Sequence, residues 1–92
     1  MMKIAAQILV KGRVQGVGFR WFAMREAERL GISGYVKNLV NGQVEIYVEG
    51  EREIVQHFKQ IMNRGPGFGR VDELDFIEMP FQDKYRNFSV EF

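Results

Sequence analysis

Positions 12 to 20 read Gly12-Arg13-Val14-Gln15-Gly16-Val17-Gly18-Phe19-Arg20, a glycine-rich stretch that leaves one apolar run, opens another and closes on an arginine. Glycine adopts positive φ without the steric cost of a Cβ and lets the backbone approach a ligand, so consecutive N–H groups can converge on a tetrahedral anion. A helix starting at Arg20 or Trp21 adds unpaired N–H donors and the positive end of its dipole. Arg20 supplies a planar fork that takes two phosphate oxygens at once. The chemistry these residues suit is the binding of an oxyanion. The plainer alternative is a tight strand-to-helix turn whose glycines serve packing alone.

Two nucleotide signatures fit the stretch badly. A P-loop requires Lys-Ser or Lys-Thr after its last glycine, whereas Phe19-Arg20 follows Gly18. A dinucleotide fingerprint requires glycine or alanine where Trp21 stands and an acidic residue about twenty positions on, where the chain has Lys37 and Asn38.

The charges around the stretch are uneven. Residues 1–40 hold seven Lys and Arg against two Glu, or +5, and residues 41–92 hold six against ten, or −4, which sum to the net +1. The positive half contains the glycine stretch, and a local field of that sign draws in small anions without making the whole chain bind nucleic acid. With no cysteine and one histidine, the sequence offers no thiol nucleophile, disulfide or thiolate metal site, and no cluster of histidines for a metal. Ninety-two residues with 46% hydrophobic and 27% charged side chains suit one globular domain, expected to span 1–92. No signal peptide or membrane span is apparent, so a cytoplasmic location is expected.

The elements that must position these residues follow from periodicity. Ala5 to Val14 reads as a strand, with Ile8, Val10 and Val14 on one face. Trp21 to Leu30 carries Phe22, Ala23, Ala27 and Leu30 at helical spacing and stops at Gly31. Gly34 to Leu39 and Gln43 to Glu49 form a hairpin, with Val44, Ile46 and Val48 inward and Glu45, Tyr47 and Glu49 outward. A two-residue Asn41-Gly42 turn would expose Val36. A three-residue loop, Val40-Asn41-Gly42, instead pairs Val36 with Ile46 and Asn38 with Val44, which puts Asn38 on the core face near the hairpin tip. A second helix runs from Glu51 to about Arg64 on Ile54, Val55, Phe58, Ile61 and Met62, followed by a strand from Arg70 to Glu78 and a short closing strand from Asn87 to Phe92.

This order matches an α+β, ferredoxin-like split βαββαβ sandwich, an antiparallel sheet with two helices on one face. In its usual strand order, 4-1-3-2, the first and second strands run the same way with the third between them. Their C-terminal ends then lie roughly 10 Å apart, a gap that an arginine and one phosphate can bridge.

The sequence GRVQGVGFR resembles the phosphate loop of the acylphosphatase family, and Gly34-Tyr35-Val36-Lys37-Asn38 followed by Gly42-Gln43-Val44-Glu45 resembles its second motif. The resemblance covers essentially the whole chain, including Arg64-Gly65-Pro66 and Arg70-Val71. It implies that Arg20 and Asn38 are the catalytic residues, Arg20 binding the phosphoryl group and Asn38 positioning the attacking water. The main-chain amides of Gln15, Gly16, Val17, Gly18, Phe19 and Arg20 would form the phosphate cradle. Two departures, Tyr35 where many members have tryptophan and Glu91-Phe92 where many have a basic residue and tyrosine, are expected to fall clear of both catalytic positions.

The implied reaction is metal-independent hydrolysis of the carboxyl-phosphate bond of an acyl phosphate to a carboxylate and inorganic phosphate, without a cofactor. The expected partners are a small-molecule acyl phosphate and, as product or inhibitor, inorganic phosphate or sulfate. No nucleic acid and no membrane are expected, and the protein is expected to be a monomer. The competing reading is a catalytically silent anion- or nucleic-acid-binding module on the same fold. Gly67-Phe68-Gly69-Arg70-Val71 faintly resembles an RNA-recognition signature but precedes the wrong strand, and Glu45 and Glu49 on the outer face of the third strand would repel phosphate. His57 is expected at the margin of the second helix's apolar stripe, and Tyr35 and Trp21 as packing or loop-supporting aromatics.

Overall fold

The computed structural model describes residues 2–92. Its elements are β1 (Lys3–Arg13), α1 (Phe19–Leu30), β2 (Ser33–Asn38), β3 (Val44–Glu51), α2 (Arg52–Arg64), β4 (Arg70–Pro80) and β5 (Phe88–Glu91). The sheet order is β4-β1-β3-β2-β5. Both β1 and β2 run antiparallel to β3, so they run parallel to each other and end together. The closing strand β5 pairs in parallel with β2, making an otherwise antiparallel sheet mixed at that edge.

Alternation along the strands builds the core. Ile4, Ala6, Ile8 and Val10 of β1 and Val44, Ile46 and Val48 of β3 are buried on the helix side, against Phe19, Ala23 and Ala27 of α1 and Val55, Phe58, Ile61 and Met62 of α2. The hairpin register is the one that parity requires, with Val36 opposite Ile46 and Asn38 opposite Val44. Gly31 ends α1 in the left-handed conformation, its N–H reaching the Glu28 carbonyl at 3.2 Å. Glu51 stands at the N-cap position of α2, without a side-chain capping bond, rather than as its first residue, and His57 is exposed.

The far face of the sheet differs from the expectation of an open surface. Tyr47 and Glu49, expected outward, are 5% and 2% exposed, because the segment between β4 and β5 folds back over them. Glu49 accepts hydrogen bonds from the Tyr47 hydroxyl and from the backbone N–H groups of Gln82 and Lys84, each at 2.9 Å. Tyr85 of the same segment lies 5.8 Å from the Tyr35 ring and 5.4 Å from the Tyr47 ring, and Tyr35 and Tyr47 stack at 6.0 Å. Burial, then the bond to Glu49 and its charge, push the Tyr47 hydroxyl up to about 12.

Candidate active site

The glycine stretch does its work in two places. Gly12, at φ 134°, lies at the irregularity in the β1–β4 pairing, and a Cβ there would collide with the Arg70 carbonyl oxygen. It serves the packing of two strands. Gly16 (φ 76°) and Gly18 (φ 78°) form the turn beyond the strand, and a Cβ at either would meet nothing within 4 Å. Their missing side chains leave free space in front of a backbone that only glycine adopts without strain.

Gly18 occupies the N-cap position of α1, which therefore starts at Phe19, before the expected Arg20 or Trp21. The first intrahelical bond runs from the Phe22 N–H to the Gly18 carbonyl at 3.0 Å, leaving the N–H groups of the preceding turn without helical acceptors. Among the described residues no side-chain bond caps this end, and no acidic residue lies in the helix's first turn to offset the positive end of its dipole.

Val14, Gly16, Gly18, Phe19, Arg20, Trp21 and Asn38 line one pocket of about 130 Å³. The ends of β1 and β2 thus meet where the topology requires. Gln15 and Val17 are not among the lining residues, and Phe19, which is, has its side chain 1% exposed within the core. The pocket falls below the roughly 300–1,000 Å³ of sites for drug-sized ligands, a size that suits a small oxyanion or a single phosphoryl group. A larger pocket of about 340 Å³, lined by Met2, Glu51, Arg52, Glu53 and Ile54, lies at the opposite end of β3 and offers two carboxylates to one guanidinium.

The buried Oδ1 of Asn38 has no hydrogen-bond partner among the described residues. Leaving a buried acceptor unpaired costs about 1–3 kcal/mol, so the atom marks a place where something else must donate. Arg20 is held from the sheet edge, its Nη1 donating to the Glu91 carbonyl at 3.4 Å and its guanidinium 4.6 Å from the Phe92 ring centroid. The chain end therefore does touch one of the two positions it was expected to avoid. The cause is the parallel pairing of β5 with β2, which brings both strands out at the pocket end.

The Gln15 side chain has a role that local pattern did not reveal. Its Nε2 donates to the Leu39 carbonyl at 2.7 Å and to the Gln43 carbonyl at 2.8 Å, tying the glycine loop to the base of the β2–β3 turn one residue from Asn38.

The model of the acylphosphatase family matches residues 6–90 of the chain. The chain belongs to the acylphosphatase family. An acylphosphatase from Clostridium beijerinckii is 42% identical over 84 residues, covering 91% of this chain and 93% of that protein. One from Pseudomonas paraeruginosa is 45% identical over 82 residues, covering 89% and 90%. The crystal structure of acylphosphatase from Bacillus subtilis superposes with a TM-score of 0.93 at 36% identity, covering 97% of this chain and 99% of that one. The family and fold make the chain an acylphosphatase-type enzyme, which hydrolyses acyl phosphates.

Proposed function

We propose that the pocket between the glycine loop and Asn38 is the acyl phosphate site, with Arg20 and Asn38 as the catalytic residues. The observation that carries this reading is the meeting, in one small pocket, of the uncapped helix end, the arginine and an unpartnered buried amide oxygen. The phosphoryl group sits in the cradle of main-chain N–H groups from Gln15 to Arg20, with the Arg20 guanidinium on its remaining oxygens.

Water, accepted by Asn38 Oδ1 as its proton donor, attacks phosphorus in line with the acyl oxygen. The new P–O bond forms as the bond to the acyl oxygen breaks, and the electron pair leaves with the carboxylate. The leaving group needs no strong general acid, since its conjugate acid has a pKa of about 4. What the site supplies is the orientation of the water and stabilisation of charge on the equatorial oxygens by donors fixed before reaction. An amide is too weak a base to keep the water's proton, which passes to the phosphate.

The reaction needs no metal in this scheme, and among the described residues no group of three or more His, Cys, Asp or Glu side chains is arranged to hold one. Against the silent nucleic-acid-binding alternative, the far face of the sheet carries Glu45 on β3 and, on β4, Glu73 and Asp75 around Lys11. Release of phosphate from acetyl phosphate and benzoyl phosphate, followed with and without a chelator, tests the reading. Turnover unaffected by the chelator is expected. No turnover, with salt-sensitive binding of oligonucleotides, would establish the alternative.

A further inference from the structure

Trp21 has no evident task in the fold. It lies in the first turn of α1, whose packing face is made by Phe19, Ala23 and Ala27, while Trp21 itself is 51% exposed. It nevertheless lines the pocket, and its ring lies 6.5 Å from that of Phe92, which is 91% exposed and whose face also carries the Arg20 guanidinium. Two aromatic rings thus stand open to solvent at the mouth of an anion pocket, on the side of the arginine. Exposed apolar surface gathered beside a polar site marks a binding surface more often than scattered exposure does.

The size of the pocket gives this surface an occupant. At about 130 Å³ it takes a phosphoryl group and a water and little else, so the acyl part of a substrate must lie outside it, across the rim. We propose that Trp21, with Phe92 beside it, is the platform for the acyl group, and that it selects acyl phosphates with an aromatic or bulky apolar acyl part over short alkyl ones. This rests on the reading of the pocket as the acyl phosphate site. An aromatic acyl group stacks or packs edge-on against the indole and covers apolar surface that a methyl group leaves wet. The phosphoryl contacts are common to both substrates, so the platform acts on the ratio of their kcat/KM values.

The test is the benzoyl-to-acetyl phosphate ratio of kcat/KM for the whole chain and for Trp21→Ala and Trp21→Phe. Trp21 serves better than Phe92 because a change at Phe92 also removes the ring beneath Arg20. A wild-type ratio above one is expected, falling about tenfold in Trp21→Ala and mostly retained in Trp21→Phe. The half-exposed position makes loss of fold avoidable, and equal urea midpoints for the three proteins check it. A wild-type preference for acetyl phosphate, or a ratio that Trp21→Ala leaves unmoved, overturns the platform while leaving the acyl phosphate site standing. A wild-type protein that turns over neither compound overturns both.

Discussion

Arg20 and Asn38 line the same pocket but serve different atoms in the proposed reaction, and that difference separates their variants. Arg20 meets phosphate in the ground state and the transition state alike, so Arg20→Ala is expected to lose inhibition by inorganic phosphate together with turnover. Arg20→Lys keeps the charge without the fork and restores only part of either. Asn38 meets only the water. Asn38→Ala is expected to lower kcat by the equivalent of about 2–4 kcal/mol, the scale of one lost oxyanion-hole donor, while phosphate inhibition stays within about threefold. The comparison is sharpened by the unpartnered Oδ1: removing it deletes no hydrogen bond of that atom to the described residues and relieves a buried unpaired acceptor, so Asn38→Ala should unfold at a urea concentration no lower than that of the parent. Near-normal kcat in a folded Asn38→Ala protein would assign the water to another group.

The elements that bring these two residues together are joined by Gln15, and its contribution is measurable apart from theirs. The Leu39 and Gln43 carbonyls each accept one further bond, from Gly42 N–H at 3.2 Å and Leu39 N–H at 2.8 Å, so removing Gln15 Nε2 orphans neither. Gln15→Leu is therefore expected to cost only about 1–2 kcal/mol of stability. Because the lost tether lies one residue from Asn38, kcat should fall more than phosphate affinity, a split that a purely structural role would not produce. The tether also marks the limit of what the sequence discloses. Parity along Gly34 to Leu39 and Gln43 to Glu49 was enough to choose the hairpin register and so put Asn38 on the core face, because a one-residue slip would expose Val36. Strand order then brought the glycine loop to the same end. A side-chain bond to carbonyls 24 and 28 residues away leaves no periodic trace, and neither does the seating of Arg20 against a chain end 71 residues on. The burial of Phe19 is hidden for a related reason: the helix begins at Phe19, ahead of the Arg20 or Trp21 start that the periodicity suggests, so Phe19 joins the apolar stripe.

At the scale of the whole molecule, the sheet is covered by helices on one face and, over Tyr35, Tyr47 and Glu49 of β2 and β3, by the tyrosine-bearing segment between β4 and β5 on the other, while Glu73 and Ile77 of β4 stay exposed. Alternation alone assigned that second face to solvent, since Tyr47 and Glu49 read as outward and nothing local in Phe81 to Asn87 announces a return over the sheet. The carboxylate of Glu49 is the anchor of this cover. Burial pushes its pKa up, but bonds donated by the Gln82 N–H, the Tyr47 hydroxyl and the Lys84 and Tyr85 N–H groups together outweigh that, and the net position lies below the ordinary 4.5. A group whose folded pKa is depressed binds protons more readily when unfolded. Its contribution to stability is therefore complete above about 4.5 and is lost as the pH falls from there through the folded value. Urea midpoints taken from pH 7 downward should hold steady as far as Glu49 is concerned until that range and then drop. In Glu49→Gln the amide presents two donors where the backbone also donates, so the protein should be weaker by about 1–3 kcal/mol at neutral pH and should lose less on acidification than the parent. Parallel pH profiles for the two proteins would show that acid sensitivity arises from other carboxylates and that the buried charge of Glu49 does not hold the segment down.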